Sequence, residues 1–310
     1  MTSKTKDARQ LFLVIPSYGD SKSVVEICHE VETILDRPIK ICILDDSGGV
    51  DFYPDLPDNY AVFSTDKNLG QQRILTDFFR VGLARTFQVQ EDDLVIIMDG
   101  DGEDSPHDVP RLLAKMEIEE VNLVTARRGS RSVSISFKIS YFCFKVGAKI
   151  LSGKSINHGT FSVSKRSELE SWVKRDAFYQ SFVGGLISTK TPKSFVNCDR
   201  SPRRYGNSRL DKSGLIEHGL RILISLSALI STRLLMATFA WIIFSVFFGV
   251  FVVIFKYLGN STPGWASFVV GFLIQVTILL LVALLTTIGL MRNQGEGPKN
   301  SEFKIRIDGK

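Results

Sequence analysis

The sequence predicts an α/β protein with a mostly parallel sheet, followed by a pair of membrane-spanning helices. Short apolar runs alternate with amphipathic segments through roughly the first 130 residues, a pattern typical of parallel strands joined by helices. Beyond Ser225 the composition becomes strongly apolar, and residues 234–255 and 262–291 carry no charged side chain. Each of these stretches has the length of about 20 residues that a helix needs to cross a bilayer.

The apolar runs locate the strands, and the spacing between them locates the helices. The predicted strands are 11–15, 39–44, 60–64, 94–98 and 122–126. Apolar residues recur at helical spacing in 24–35, and further helices are predicted after NLGQQRIL and over 106–119. Because crossovers between parallel strands are right-handed, the turns that follow these strands are expected at one edge of the sheet.

An acidic turn follows the strand at 94–98. Asp99 and Asp101 flank Gly100, and Glu103 and Asp104 come next. Ligands bind beyond the carboxyl ends of the strands in such sheets, and the oxygen ligands of an Asp-x-Asp turn suit Mg²⁺ or Mn²⁺. The turn is therefore predicted to hold a metal and a diphosphate. The alternative is an acidic loop that caps the next helix, since Ser105-Pro106 is a good helix start.

A second pair of carboxylates, Asp45 and Asp46, follows the strand at 39–44 and precedes Ser-Gly-Gly. A carboxylate at this edge can accept a hydrogen bond from a ribose hydroxyl or a base N–H. An Asx turn that serves only the backbone is the alternative. The sequence leaves both interpretations open.

Arginines gather in two places. One group follows the strand at 122–126, and the other lies in DRSPRRYGNSR, ahead of the apolar region. The members are Arg127, Arg128 and Arg131, and then Arg200, Arg203, Arg204 and Arg209. The guanidinium fork suits phosphate because it donates two parallel hydrogen bonds. For any single arginine a solvated surface charge is the alternative.

The absence of several sequence motifs disfavours some classes of protein. No GxGxxG follows the first strand and no GxxxxGK occurs, which disfavours a nicotinamide or ATP site. The four cysteines have no metal-ligand spacing and are interpreted as reduced thiols. The start MTSKTKDARQ lacks the apolar core of a signal peptide. The net charge of +5 favours a surface on anionic lipid over nucleic acid, which is not an expected partner.

The charges around the apolar stretches predict their orientation. Basic residues precede the first stretch and follow the second, whereas the connection between them holds only Lys256. By the positive-inside rule the two spans form a hairpin with both termini in the cytoplasm. The expected division is a catalytic domain at 1–211, a juxtamembrane segment at 212–233, spans at 234–255 and 266–290, and a tail at 292–310. Within the juxtamembrane segment, 214–232 is read as one interfacial helix.

A further amphipathic helix is predicted at 134–151, with lysines beside its apolar face. Two interpretations stay open. It is either an ordinary surface helix or a basic helix that lines the path of a lipid substrate.

Five motifs, in order, are VIPSYGD, ILDDSGG, NLGQQRIL, MDGDGEDSP and RRYGNSR. With the apolar tail they resemble glycosyltransferase family 2, specifically the membrane-bound polyprenyl-phosphate glycosyltransferases related to dolichyl-phosphate-mannose synthase. The last motif matches the family's R-x-x-G-x-S-K element, with Arg209 in place of lysine. One departure is INHGTFSVSKR, where the family commonly has Asp before a Ser-Gly-Phe-Arg strand. His158 becomes a candidate group for holding the sugar there.

The resemblance implies a GT-A fold, which is Rossmann-like. It also implies metal-dependent, inverting transfer of a sugar from a nucleoside diphosphate to polyprenyl phosphate at the cytoplasmic membrane. UDP-glucose is the leading donor and undecaprenyl phosphate the acceptor, while mannose, galactose, a uronic acid or an amino sugar stay open as the sugar. A processive polysaccharide synthase and a non-catalytic, membrane-tethered nucleotide-sugar-binding protein are the alternatives, and homo-oligomerisation is left open.

The resemblance also assigns residues to roles. The metal ligands are Asp99 and Asp101, and the catalytic carboxylates are Asp101 and Asp104. The expected nucleotide-sugar contacts are Pro16, Tyr18, Asp45, Asp46, Gln71, Asp99 and Gly100. The expected contacts to the acceptor phosphate are Arg127, Arg128, Arg131, Arg203, Ser208 and Arg209.

Overall fold

A computed structural model describes residues 9–53, 56–128, 135–206, 212–259 and 262–294. Its centre is a seven-stranded mixed sheet. The strands are β1 (Leu11–Ser17), β2 (Ile39–Asp45), β3 (Tyr60–Ser64), β4 (Leu94–Ile97), β5 (Leu123–Arg128), β6 (His158–Lys165) and β7 (Lys193–Cys198). Their order is β3-β2-β1-β4-β6-β5-β7, and only β6 is antiparallel to its neighbours. The predicted α/β fold with a mostly parallel sheet is confirmed.

The helices are α1 (Ser21–Ile34), α2 (Gln71–Asp77), α3 (Leu83–Thr86), α4 (Val109–Glu119), α5 (Ile135–Ser152), α6 (Arg166–Val173), α7 (Asp176–Gln180), α8 (Phe182–Ser188), α9 (Lys212–Ser225), α10 (Ser227–Tyr257) and α11 (Trp265–Gln294). A π-helical turn, Phe78–Gly82, joins α2 to α3, and a 3-10 turn, Pro106–Asp108, precedes α4. The five predicted strands and the helices predicted among them are all present, with small shifts at their ends.

Helices cover both faces of the sheet, as the uninterrupted apolar strands require. On one face, Val24, Ile27 and Val31 of α1 and Leu112 of α4 pack against β1, β2 and β4. On the other face, α2, the π-helical turn and α6 to α8 contribute a core of mixed aliphatic and aromatic side chains. That core includes Phe78, Trp172, Phe178 and Phe182.

The carboxyl ends of β1, β2, β3, β4, β5 and β7 meet at one edge of the sheet, called here the carboxyl edge. Strand β5 shares the direction of β4 because both are antiparallel to β6 between them. Strand β6 therefore begins at the carboxyl edge, and His158 is in register with Arg127 there.

The C-terminal helices join the domain through a third apolar cluster, which includes Ala148 of α5, Val183 of α8 and Ile222 of α9. Helices α10 and α11 are long and apolar enough to cross a membrane, and the most apolar windows of both are 11% buried. The single interfacial helix expected over 214–232 is not observed, because the chain leaves α9 at Leu226 (φ −95°, ψ 5°) and residues from Ser227 onward belong to α10.

Candidate active site

The Asp-Gly-Asp turn lies directly after β4, at the middle of the carboxyl edge. Asp99 and Asp101 are half-buried, whereas Gly100 between them is buried. A Cβ at Gly100 would lie 2.6 Å from Val24 Cγ2 and 3.0 Å from the Pro16 carbonyl oxygen. Glycine is needed here for this close approach. The backbone of the turn is thereby held against the end of β1.

The turn contacts the loop that begins α2. Gln71 Nε2 donates to Asp99 Oδ1 at 2.5 Å, and the Gln71 side chain is otherwise exposed. The structure therefore brings together Asp99 and Gln71, which were predicted separately as nucleotide-sugar contacts.

The Asp46 carboxylate holds the same loop through hydrogen bonds to its backbone. Its carboxylate accepts hydrogen bonds from the backbone N–H groups of Leu69 and Gly70, both at 2.7 Å, and from the Thr65 hydroxyl at 3.2 Å. Burial raises the pKa of Asp46, while the hydrogen bonds from Leu69 and Gly70 act in the opposite direction. The Asp46 side chain is thus fully engaged in shaping the approach to Gln71.

Asp45 serves its own turn, as the Asx-turn alternative anticipated. Its carboxylate accepts from the Ser47 N–H at 2.9 Å and the Ser64 hydroxyl at 3.2 Å. Asp45 and Asp46 are 1% and 3% exposed. A direct nucleotide contact by either carboxylate remains a prediction.

We expect Asp46→Asn to destabilise the protein by about 1–3 kcal/mol, because the amide replaces one acceptor oxygen with a donor that faces backbone N–H groups. Chemical denaturation of the purified protein measures this change. Asp58→Asn is the matched control, since Asp58 is exposed in the turn before β3. Equal stability of the Asp46 variant and the control would show that the loop does not depend on this carboxylate.

A segment after β7, residues 199–206, lies on the acidic turn and is called here the strap. The Ser201 N–H donates to the Glu103 carbonyl at 2.9 Å, and the Arg204 N–H donates to the Asp101 carbonyl at 3.1 Å. Gly102 has φ +77°, and a Cβ there would lie 2.4 Å from Arg204 Cγ. The strap and the turn therefore pack backbone against backbone.

Three strap arginines pair with carboxylates. Arg200 Nη1 lies 2.7 Å from Glu103 Oε2, and its Nε lies 3.4 Å from Asp104 Oδ1. Arg203 Nη2 donates to Asp20 Oδ1 at 2.6 Å, just before α1. Arg204 pairs with Glu30 of α1. The strap is thus fastened both to the acidic turn and to the first helix.

Asp104 and Arg203 therefore lie in different surroundings from those the sequence suggested. Asp104 is 3% exposed and faces Arg200, so the structure gives its carboxylate a partner inside the protein. Arg203, predicted to bind the acceptor phosphate, already contacts a carboxylate. The catalytic role of Asp104 and the phosphate role of Arg203 both remain predictions.

The other predicted residues that the structure describes lie along the carboxyl edge. Pro16 is buried, and Tyr18 is 48% exposed. Arg127 is exposed, with its guanidinium 4.7 Å from the centre of the Phe195 ring. The side chains of Arg128 and His158, and the residues Arg131, Ser208 and Arg209, lie outside what the structure describes.

The sequence did not single out Asp20, and it presented Glu103 and Arg200 only as members of the acidic turn and of the second arginine group. A signal for them exists in retrospect. The strap carries three arginines, and two of them, Arg200 and Arg203, pair with the carboxylates of Glu103, Asp104 and Asp20.

The turn fits a divalent cation that is shared with a substrate. Within the described parts of the chain, no group of three or more His, Cys, Asp or Glu side chains is arranged to hold a metal alone. Mg²⁺ is commonly held by one or two carboxylates together with substrate phosphates. Asp99 and Asp101, both half-buried, are the two carboxylates predicted to supply such a partial set of ligands.

An α/β domain with an acidic turn at the carboxyl edge is typical of enzymes that use nucleotide substrates. The chain belongs to glycosyl transferase family 2, whose model matches residues 12–172, more than half of its length. It is a glycosyltransferase that takes its sugar from a nucleotide sugar.

No curated protein matches the chain significantly. Among solved structures, it is similar to glucosyl-3-phosphoglycerate synthase from Mycobacterium tuberculosis in complex with Mn²⁺, UDP-glucose and phosphoglyceric acid, at 15% identity and a TM-score of 0.49 over 72% of this chain and 80% of that one. A structure described as a mycobacterial protein gives 16% identity and a TM-score of 0.49 over 72% and 75% of the two chains.

Proposed function

We propose that the protein transfers a sugar from a nucleoside diphosphate to polyprenyl phosphate at the cytoplasmic face of a membrane. One observation carries the proposal. The strap, which bears the predicted acceptor arginine, is hydrogen-bonded directly to the Asp-Gly-Asp turn that bears the predicted metal ligands. Groups suited to the donor diphosphate and groups suited to the acceptor phosphate therefore adjoin, in a chain that ends in two long apolar helices.

On the donor side, the difficulty of the reaction is the negative charge that develops on the departing diphosphate. Asp99 and Asp101 would hold Mg²⁺ or Mn²⁺, which supplies positive charge to the diphosphate when bound. Gln71 fixes the orientation of Asp99 through its hydrogen bond. Asp46 supports Gln71 by fixing the loop before it.

On the acceptor side, the nucleophile is a phosphate oxygen that is already anionic at neutral pH. A strong general base is therefore not required. The acceptor needs cationic partners, because two phosphate-bearing substrates must approach each other. Arg203 on the strap and Arg127 at the end of β5 are the described arginines proposed for this purpose. Arg128, Arg131, Ser208 and Arg209 complete the proposed acceptor set.

The membrane side of the proposal is supported by the surface of α5. Ile139, Phe142, Val146 and Ile150 recur at helical spacing and are 59%, 67%, 40% and 68% exposed. Helix α5 packs against α10 and α9, so this apolar face continues toward the proposed spans. Such a face with lysines beside it is typical of a helix that lies in a lipid interface.

A groove of about 370 Å³ lies between this surface and the residues that precede β6. It is lined by Tyr141, Lys145 and Lys149 of α5, and by Ile156 and Asn157 just before β6. Because β6 begins at the carboxyl edge opposite Arg127, the groove offers a route for a lipid chain whose phosphate reaches the arginines. This supports the second of the two interpretations of the helix at 134–151.

The test is transfer of label from a nucleotide sugar into lipid. Detergent-solubilised protein is incubated with Mn²⁺ or Mg²⁺, undecaprenyl phosphate and radiolabelled UDP-glucose, and then with other nucleotide sugars. We expect label in the organic phase from one donor, and its loss when EDTA removes the metal. Undecaprenol without phosphate is the matched control acceptor. Hydrolysis of a donor without lipid labelling would contradict the proposed acceptor.

A further inference from the structure

Arg200 is the least exposed of the three strap arginines, with 11% of its side chain accessible compared with 15% for Arg203 and 27% for Arg204. Its partners are more deeply buried, since the side chains of Glu103 and Asp104 are 6% and 3% exposed. One guanidinium therefore contacts two buried carboxylates. Removing one partner from a buried ion pair is costly because it leaves an uncompensated charge.

Glu103 connects this cluster to Asp101, because its side chain contacts Arg200 and its backbone contacts Asp101. The Glu103 side chain contacts Arg200, while the Glu103 N–H donates to Asp101 Oδ1 at 3.0 Å. The Glu103 carbonyl in turn accepts from Ser201, the neighbour of Arg200. The conformation of residues 101–103 is thus fixed from the strap side at both the side chain and the backbone of Glu103.

The charges of the acidic turn also indicate a structural role for Arg200. Asp99, Asp101, Glu103 and Asp104 lie within six consecutive residues. Arg200 pairs with the two that are buried and offsets one of their two charges, whereas Asp99 and Asp101 are the two half-buried carboxylates of the turn. Partners that orient a metal ligand from behind typically change metal affinity by about 10- to 100-fold when they are mutated.

We propose that Arg200 is a positioning residue of the metal site, which holds the acidic turn so that Asp101 presents its carboxylate to the cation bound with the diphosphate. The inference rests on the metal-dependent function proposed above. It assigns to Arg200 a task different from that of Arg203, because Arg200 acts through Glu103 and contacts neither substrate.

The test is direct binding of Mn²⁺ in the presence of UDP, measured on the full-length protein in detergent from the electron paramagnetic resonance signal of free Mn²⁺. We expect Arg200→Gln to weaken Mn²⁺ binding by at least about tenfold. Arg200→Lys keeps the charge but loses the fork that reaches both carboxylates, so we expect a smaller weakening. Melting curves without metal establish which variants are folded.

Arg166→Gln is the matched control. Arg166 is 16% exposed and pairs with Glu170, but it lies at the opposite edge of the sheet, where its N–H donates to the Asp93 carbonyl before β4. We expect this variant to bind Mn²⁺ as the unaltered protein does, even if its melting temperature falls. A loss of metal affinity in both Arg166 and Arg200 variants would indicate a general effect of stability and overturn the assignment.

The remaining outcomes are also decisive. Unchanged Mn²⁺ binding in Arg200→Lys and Arg200→Gln, at any melting temperature, would overturn the inference while leaving the proposed function intact. If Arg200→Gln does not fold, the Lys variant alone decides. Absence of Mn²⁺ binding by the unaltered protein with UDP would overturn the metal-dependent function itself, and this inference with it.

Discussion

Asp101→Asn is expected to reduce sugar transfer by at least about 10²–10³-fold while the protein stays folded and membrane-associated. The substitution keeps the shape of the side chain, and an oxygen remains to accept the Glu103 N–H that now lies 3.0 Å away. What is lost is the negative charge that would hold the divalent cation against the diphosphate. Losses of this size are typical when a group that stabilises developing charge is removed.

Initial rates of lipid labelling, together with a melting curve, check this expectation. Asp92→Asn is the matched control, because Asp92 lies in the turn before β4, at the other end of the same strand, and its side chain is 72% exposed. Raising the Mn²⁺ concentration should restore little activity to Asp101→Asn. Near-normal turnover by that variant would refute the assignment of Asp101 as a metal ligand.

The fold was predictable wherever strands are buried on both faces. Strands β1 and β4 begin as uninterrupted apolar runs, and the run in β2 is interrupted only by Lys40, because helices cover the sheet on both sides. Strand β6 gives a weaker signal, since its buried positions include Thr160, Ser162 and Ser164. Strand β7 lies at the edge of the sheet, and its sequence, Lys-Ser-Phe-Val-Asn-Cys, has only two adjacent strongly apolar residues, so the apolar pattern did not reveal it.

The position of the acidic turn was predictable, because its residues follow one strand directly in the sequence. The Asp-Gly-Asp turn follows β4 directly, and the sequence places it at the carboxyl edge. The contacts of the strap could not be predicted in this way, because Arg203 and Asp20 are 183 residues apart in the sequence. Only the packing of the strap on α1 and on the acidic turn makes them neighbours. The same packing separates Arg200 from Arg203, which the sequence presents as one cluster.

The second large effect concerns the acceptor. We expect Arg203→Ala to raise the KM for undecaprenyl phosphate about 10- to 100-fold, and to leave the binding of the nucleotide sugar nearly unchanged. A hydrogen bond to a charged group contributes about 1.5–3 kcal/mol, and each 1.4 kcal/mol corresponds to roughly a tenfold change in affinity. Kinetics at varied acceptor concentration give the KM for the acceptor. A separate measurement of nucleotide-sugar binding shows whether the donor is affected as well. Arg111→Ala is the control, because Arg111 lies on α4 and donates to the Asn197 carbonyl of β7.

The ion pair between Arg203 and Asp20 allows a second test of the acceptor site. If Asp20 occupies the guanidinium that the lipid phosphate uses, Asp20→Asn removes an anionic competitor, and the KM for the acceptor should stay level or fall. If the pair instead serves to hold the strap in place, Asp20→Asn and Arg203→Ala should weaken the use of acceptor alike. Opposite responses of the two variants would therefore support a phosphate site at Arg203, and equal losses of acceptor and donor binding would show that the acceptor assignment is wrong.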